Sequence, residues 1–260
     1  MTASEIKLGL KTSILGKEIV YFDETTSTND VAFALAIDGA INGTLVIADS
    51  QTKGRGRLDR KWFSPKGTSI LASLIMRPKI ALSHSGNITP ITTISIVQAI
   101  RHITNLTAMI KWPNDIVVND RKVSGILVES KIERNRAKFF VVGFGVNVNI
   151  PKNDFPEEIL ETATSLSVEL QHEVSRVQLL QEILYQLESR YTEMMDDSID
   201  FLQEWKNLSV TIGRRVKIER PDEVFFAKAL DIDKNGALII QLGSGEIQSI
   251  MNDDLVKIRC

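Results

Sequence analysis

The chain has 260 residues and a net charge of −2, with 43% hydrophobic and 25% charged residues. Those proportions exclude a disordered or fibrous chain, and the near-neutral charge argues against a protein that coats duplex nucleic acid. The sequence holds no uninterrupted apolar run of about 18 residues and no basic stretch leading into an apolar core, which argues against a membrane span or a secretory leader. Its single cysteine, Cys260, rules out an internal disulfide and suits a reducing, cytoplasmic setting.

Residues 19–22 read as a short strand. Ser27-Thr28-Asn29-Asp30 has the form of a capping box, with Ser27 as N-cap and the Asp30 side chain reaching back. It opens a helix over 31–40 that ends at the turn containing Asn42-Gly43. Residues 44–48 and 69–76 read as buried strands, and Pro90 suits the first turn of a helix with apolar positions Ile94, Val97 and Ile100. Strand-like runs follow at 108–111, 116–119, 123–129 and 139–148, separated by turn formers such as Pro113-Asn114 and Asn119-Asp120. A second capping box, Ser175-x-x-Gln178, introduces a long amphipathic helix through Leu179, Leu180, Ile183, Leu187 and Tyr191. Beyond Asn207 the pattern turns to short strands at 210–212, 216–218, 225–232, 238–242 and 247–250, with turns at Asn235-Gly236 and Gly243-Ser244-Gly245. The expectation is an α/β domain of catalytic size over 1–207, followed by a small all-β domain, a barrel or sandwich, over 208–260.

Three segments carry groups suited to chemistry. Lys53, Arg55, Arg57, Arg60, Lys61 and Lys66 cluster against the single acid Asp59, and in a mildly acidic chain this points to a local anion site. Glycines in Gly54-Arg55-Gly56-Arg57 allow close backbone approach, and the arginines offer planar forks for phosphate or carboxylate. The segment is not a Walker A loop, because the ending Gly-Lys-Ser/Thr is missing. Lys111-Trp112-Pro113-Asn114-Asp115 puts a lysine at the end of a buried strand, where it needs an anion. There it can hold a carboxylate and an α-phosphate together, and Asp115 is the candidate to help carry Mg²⁺. Gly143-x-Gly145-x-Asn147 predicts a ligand or backbone lying close against a sheet, with the Asn147 amide suited to a base edge. His84, His102 and His172 show no metal-ligand spacing, and no Gly-x-Ser-x-Gly elbow occurs. Without a candidate nucleophile, binding and orienting reactive phosphates is the chemistry these residues favour.

Taken in order, these segments resemble the biotin–protein ligase family. The resemblance runs through Ser27-Thr28-Asn29, Gln51 to Trp62, Ser64-Pro65-x-Gly67, Lys111 to Asp115, Lys122-x-x-Gly125-Ile126-Leu127-Val128-Glu129, Gly143-x-Gly145-x-Asn147 and Ala163-Thr164-Ser165-Leu166. It implies a central mixed β-sheet flanked by helices, with a C-terminal β-barrel cap. It also implies a two-step adenylation: biotin and MgATP give biotinyl-5'-adenylate, and a lysine of a biotin carboxyl carrier protein then displaces AMP. By the same resemblance, Ser27, Thr28, Asn29, Gln51, Arg55, Gly56, Arg57, Lys111 and Gly125 contact biotin. Arg55, Arg57, Arg60, Trp62, Lys111, Asn114, Asn147 and Arg259 contact ATP or the adenylate, and Lys111, Arg57 and Arg60 are the catalytic set. Leu58-Asp59 stands where some members have glycine at the second position, which predicts a stiffer loop or an altered charge balance. Bifunctional members carry an N-terminal helix-turn-helix unit; here the first motif begins at Ser27, so a form without DNA binding is expected, and a homodimer is what similar short members suggest. Lipoate–protein ligase, from the same fold, and a non-catalytic biotin or nucleotide sensor are the alternatives. The arginine-rich, triple-glycine loop pattern of lipoate ligases is missing here, and the presence of Lys111 with the full arginine loop speaks against a sensor.

Overall fold

A computed structural model describes residues 1–134, 136–195, 201–220, 223–251 and the backbone of 257–259; the side chains of residues 59 and 82–84 lie outside the described set. Seven strands form the central sheet: β1 (Ile19–Phe22), β2 (Leu45–Ala48), β3 (Ser69–Met76), β4 (Met109–Lys111), β5 (Asp115–Val118), β6 (Arg121–Glu133) and β7 (Arg136–Asn147). Their order is β1-β2-β3-β7-β6-β5-β4, with β1 and β2 parallel and every other pair antiparallel. The sheet is therefore mixed. The helices are α1 (Ala3–Leu8), α2 (Thr28–Ile37), α3 (Ile88–Thr104), α4 (Glu157–Leu160), α5 (Leu166–Leu170), α6 (Arg176–Met195) and α7 (Phe201–Asn207).

Each face of the sheet is covered by a helix whose sequence suits the place. Ala32 and Ala36 of α2 let its backbone come close, where they pack with Val46, Ile75, Phe139 and Val141. The opposite face meets α3, which is buried nearly all round because α6 and α7 lie over it. Inside that apolar setting Thr92, Ser95 and Thr104 turn their hydroxyls back onto the carbonyls of Ile88, Ile91 and Ile100, at 2.6–2.7 Å. The stripe of α6 anticipated from the sequence is in place: Leu179, Leu180, Ile183, Leu187 and Tyr191 are all buried.

A second sheet, of five antiparallel strands, follows: β8 (Arg215–Glu219), β9 (Val224–Ile232), β10 (Leu238–Leu242), β11 (Ile247–Ile250) and β12 (Lys257–Arg259), in the order β11-β10-β9-β8-β12. It is tied to the first sheet at Trp112, whose indole Nε1 donates to the Gly236 carbonyl at 3.0 Å and whose backbone N donates to Thr211 Oγ1 at 3.0 Å.

The structure corrects three local expectations. The helix opened by Ser27 begins at Thr28 and ends at Ile37, because the Ser27 hydroxyl accepts from Asp30 N one turn earlier than the apolar pattern suggested. Asp30 does not reach back to complete a capping box; its carboxylate pairs with Arg55. Residues 210–212 are not a strand: Val210 N donates to Ile110 O of β4 at 2.9 Å, Thr211 N turns back to Ser209 Oγ, and the chain then turns at Gly213. The sequence reading also left out α1, α4, α5, α7 and β12. Most of these are too short for a periodic signal to emerge.

Candidate active site

The site grows from the parallel pairing of β1 and β2. Beyond the strands that pairing continues as a bridge between Thr25 and Gln51, with Thr52 N and Lys53 N donating to the carbonyls of Thr25 and Thr26. Gln51 is thereby set beside the first turn of α2. Its Oε1 accepts from Thr28 N at 2.7 Å and from Thr28 Oγ1 at 3.1 Å. Ser73 Oγ, from β3, lies 2.6 Å from Asn29 Oδ1 and 2.8 Å from Thr28 Oγ1. Its single proton goes to the amide carbonyl, which has none of its own to give. Asn29 Nδ2 donates to Glu129 Oε2 at 2.8 Å and to the Leu127 carbonyl at 3.3 Å. Ser27, Thr28 and Asn29 are all buried. The network fixes the rotamers of this wall and leaves the Gln51 amide N–H₂ and the Ser27 hydroxyl proton as its available donors.

Residues 54–62 fold into a tight hairpin: Trp62 N donates to Gly54 O, Arg55 bridges Lys61, and Gly56 N donates to Arg60 O at 2.7 Å. At its tip Leu58 adopts the left-handed conformation (φ 57°, ψ 37°), which costs an L-residue roughly 1–2 kcal/mol. The loop thus carries strain where a glycine would carry none. Arg55 pairs with Asp30 and reaches Glu129 Oε1 at 3.5 Å, and Arg57 Nη1 lies 3.4 Å from Asn114 Oδ1.

Trp62 leaves the hairpin to lie on the sheet. Gly125 of β6 and Gly145 of β7 are direct register partners, and a Cβ on Gly145 would stand 2.5 Å from Trp62 Cε2. Only glycine leaves room for the indole there. Lys122 caps the ring with Nζ 5.4 Å from its centroid, and the same Nζ lies 2.5 Å from Asp115 Oδ1. Lys111, at the end of β4, is the register partner of Asp115. The Lys111 side chain makes no hydrogen bond or ion pair among the described residues. Asn114 Nδ2 donates to the Ile126 carbonyl at 2.6 Å, which leaves its Oδ1 facing Arg57. Asn147 Nδ2 donates to the Thr164 carbonyl at 3.1 Å, while its buried Oδ1 has no partner among the described residues.

The polar wall, the hairpin arginines, Trp62, Lys111, Asn114 and Asn147 line one cavity of about 650 Å³, with Ser73 and Glu129 supporting it from behind. On its wall are the biotin, nucleotide and metal candidates Ser27, Thr28, Asn29, Gln51, Arg55, Gly56, Arg57, Arg60, Trp62, Lys111, Asn114, Asp115, Gly125 and Asn147, while Lys53 and Lys66 of the basic cluster lie off it. Arg259 is the exception among the nucleotide candidates: its backbone lies in β12, and its side chain falls outside the described residues. Sequence reasoning gave no role to Ser73 and Glu129, whose hydrogen bonds hold Asn29, or to Lys122. Ser73 had a legible signal as one of the few polar residues in the apolar run of β3, and Glu129 closes the motif that begins at Lys122; its role stayed hidden because its partners come from distant segments.

The arrangement provides a polar wall for a neutral ligand beside a cationic stretch for phosphates. Residues 21–147 match the Biotin/lipoate A/B protein ligase family, and residues 211–251 match the Biotin protein ligase C terminal domain. The Bifunctional ligase/repressor BirA of Bacillus subtilis is 38% identical over 98% of this chain and 78% of its own length. The chain belongs to the biotin protein ligase family. The Biotin--[acetyl-CoA-carboxylase] ligase of Mycobacterium tuberculosis is 31% identical, over 91% of this chain and 87% of its own. Among solved structures, the Aquifex aeolicus biotin protein ligase in complex with biotin and ATP is 28% identical and superposes with a TM-score of 0.78, covering 94% of this chain and 99% of that one. This ligase is thus an ATP-dependent enzyme of that family, and among the described residues no helix is long and apolar enough to cross a membrane.

Proposed function

We propose that the chain activates biotin with MgATP and passes it to a specific lysine of a biotin carboxyl carrier protein. A carboxylate oxygen of biotin attacks the α-phosphorus, pyrophosphate leaves, and biotinyl-5'-adenylate forms. The acceptor amine then attacks the acyl carbon, AMP leaves with the anhydride oxygen, and one proton is released. The observation that carries this reading is the single cavity in which the Ser27–Gln51 wall meets Lys111 at the end of β4.

Ser27, Thr28, Asn29, Gln51, Gly56 and Gly125 form the biotin side in this reading. The wall's donors suit a neutral carbonyl-bearing ring. Lys111, with no partner of its own among the described residues, draws the biotin carboxylate and the α-phosphate together and offsets the charge that grows on phosphorus. Arg57 and Arg60 serve the phosphates from the hairpin, beside Asn114, while Trp62 and the orphan Oδ1 of Asn147 suit a nucleobase with an exocyclic amine. Arg259 is carried as a nucleotide contact on the family resemblance.

Magnesium enters with the nucleotide and neutralises phosphate charge when bound. Among the described residues no three His, Cys, Asp or Glu side chains gather to build a cage. Asp115, with Oδ1 held by Lys122, has Oδ2 left for a cation. That donor set suits an ion held mainly by phosphate oxygens plus one carboxylate.

The same reading divides the chain at 207/208 and keeps it in the cytoplasm, off nucleic acid, as a homodimer. The change from helices to short strands supports the division, and the net charge of −2 supports independence from nucleic acid. The test is a transfer assay with purified protein, MgATP and a carrier domain, with lipoate in parallel. One biotin added to the carrier lysine and none from lipoate is the expected mass change; the same gain from lipoate, or pyrophosphate release with neither acid, overturns the reading.

A further inference from the structure

Arg55 stands among the cations of the cavity, yet two carboxylates already hold its guanidinium. Asp30 approaches from the first turn of α2 and Glu129 from β6, at 3.5 Å. Glu129 is doubly used. Its Oε1 faces Arg55 while its Oε2 accepts from Asn29 Nδ2 at 2.8 Å. One acid thus joins the Gly/Arg hairpin to the polar wall, and Asp30 joins the hairpin to the helix that begins at that wall. The three charges sum to −1, which leaves Arg55 poorly suited to draw in a phosphate.

Building on the function proposed above, we propose that Asp30 and Glu129 are positioning residues that latch the hairpin at Arg55 and thereby set biotin affinity, and that Arg55 acts as the latch rather than as an anion ligand. The anion-binding cations of the loop are then Arg57 and Arg60. Because Glu129 also holds Asn29, releasing the latch loosens the biotin wall and leaves the nucleotide side intact. The pairs are about one-third to one-half exposed, so each contributes a modest factor and the two together a measurable one.

The test compares Asp30→Asn/Glu129→Gln, Arg55→Ala and the triple variant. KM for biotin and for ATP is measured in biotin-dependent pyrophosphate exchange, and limited trypsin digestion at Arg55 and Arg57 is followed without ligands. Biotin KM is expected to rise roughly three- to tenfold in the carboxylate pair variant, with ATP KM and kcat little changed and cleavage at Arg57 faster. Arg55→Ala should raise biotin KM to the same extent without moving ATP KM, and the triple variant should add less than about twofold, since all three changes break one device. A rise in ATP KM on Arg55→Ala, or additive effects in the triple variant, overturns the proposal. Unchanged proteolysis at Arg57 overturns the latch even if the wild-type chain proves inactive with biotin, a result that by itself would sink only the function.

Discussion

Gly143 and Asn29 share one space: a Cβ on Gly143 of β7 would come within 2.7 Å of Asn29 Cγ, so the bare backbone of the strand is the seat of the Asn29 amide. The amide meanwhile accepts from Ser73 and donates to Glu129. The sheet and the start of α2 are thus fitted to each other through a missing methyl group. Gly143→Ala should push Asn29 and Thr28 off their partners and raise the biotin Kd roughly tenfold or more, because overpacking a tight contact costs about 1–3 kcal/mol. Calorimetry of biotin binding checks this, and an unchanged Kd would show that Asn29 does not shape the pocket.

Asn147 offers the complementary case, a buried acceptor left without a donor. Such groups are rare and call for an explanation. Asn147→Leu should raise ATP KM by about tenfold, the worth of one hydrogen bond to a partner that loses it. Biotin KM should stay where it was. Parallel steady-state titrations of both substrates decide it.

The mixed sheet and the residues that line the cavity were both legible in the sequence. Glycines at 143 and 145 announce close approach, and the structure fills the space with Asn29 and Trp62, side chains of the chain itself, where the expectation was a ligand or backbone. Apolar runs and turn residues located β3, β10 and β11 to the residue, since both are local signals. What stayed hidden is set by distant partners. The pairing of Asp30 with Arg55, in place of a capping box, joins residues 25 positions apart, and Glu129 meets Asn29 across 100. The segment at 210–212 has a strand-like composition, but only Val210 N reaches β4 and Thr211 N turns back to Ser209, which no local pattern reveals.

The N-terminal segment is secured by one acid. Glu188 of α6 accepts from the backbone N of Ser13, Ile14 and Leu15, at 2.5, 2.7 and 2.7 Å. Three donors converging on one carboxylate make a nest for charge. Glu188→Ala should cost roughly 1–3 kcal/mol of stability by leaving those donors without their acceptor. Urea unfolding checks the loss, while kcat should remain that of wild type because the contact lies outside the cavity wall.

Tyr191 is fully buried and donates its hydroxyl to Asn42 Oδ1 at 3.0 Å. Burial raises its pKa above the ordinary tyrosine value, because the phenolate would be stranded without water. The sign follows: the folded state holds the proton more tightly, so this stability is fully present below the unfolded pKa of about 10 and lost as pH rises beyond it. Tyr191→Phe should be less stable than wild type near neutrality, for want of one hydrogen bond, and its urea midpoint should fall less steeply above about pH 10. Parallel slopes for the two proteins would contradict this.

The most direct test of the whole account is biotin-dependent ATP–pyrophosphate exchange in wild type and Lys111→Ala, with folding of the variant checked by its thermal transition. The account predicts exchange that requires biotin, and a loss of roughly 10²–10³-fold in the folded variant, the usual cost of removing one preorganised charge contact to the transition state. Exchange without biotin, or a folded Lys111→Ala that exchanges like wild type, would contradict the claim that Lys111 brings carboxylate and phosphate together.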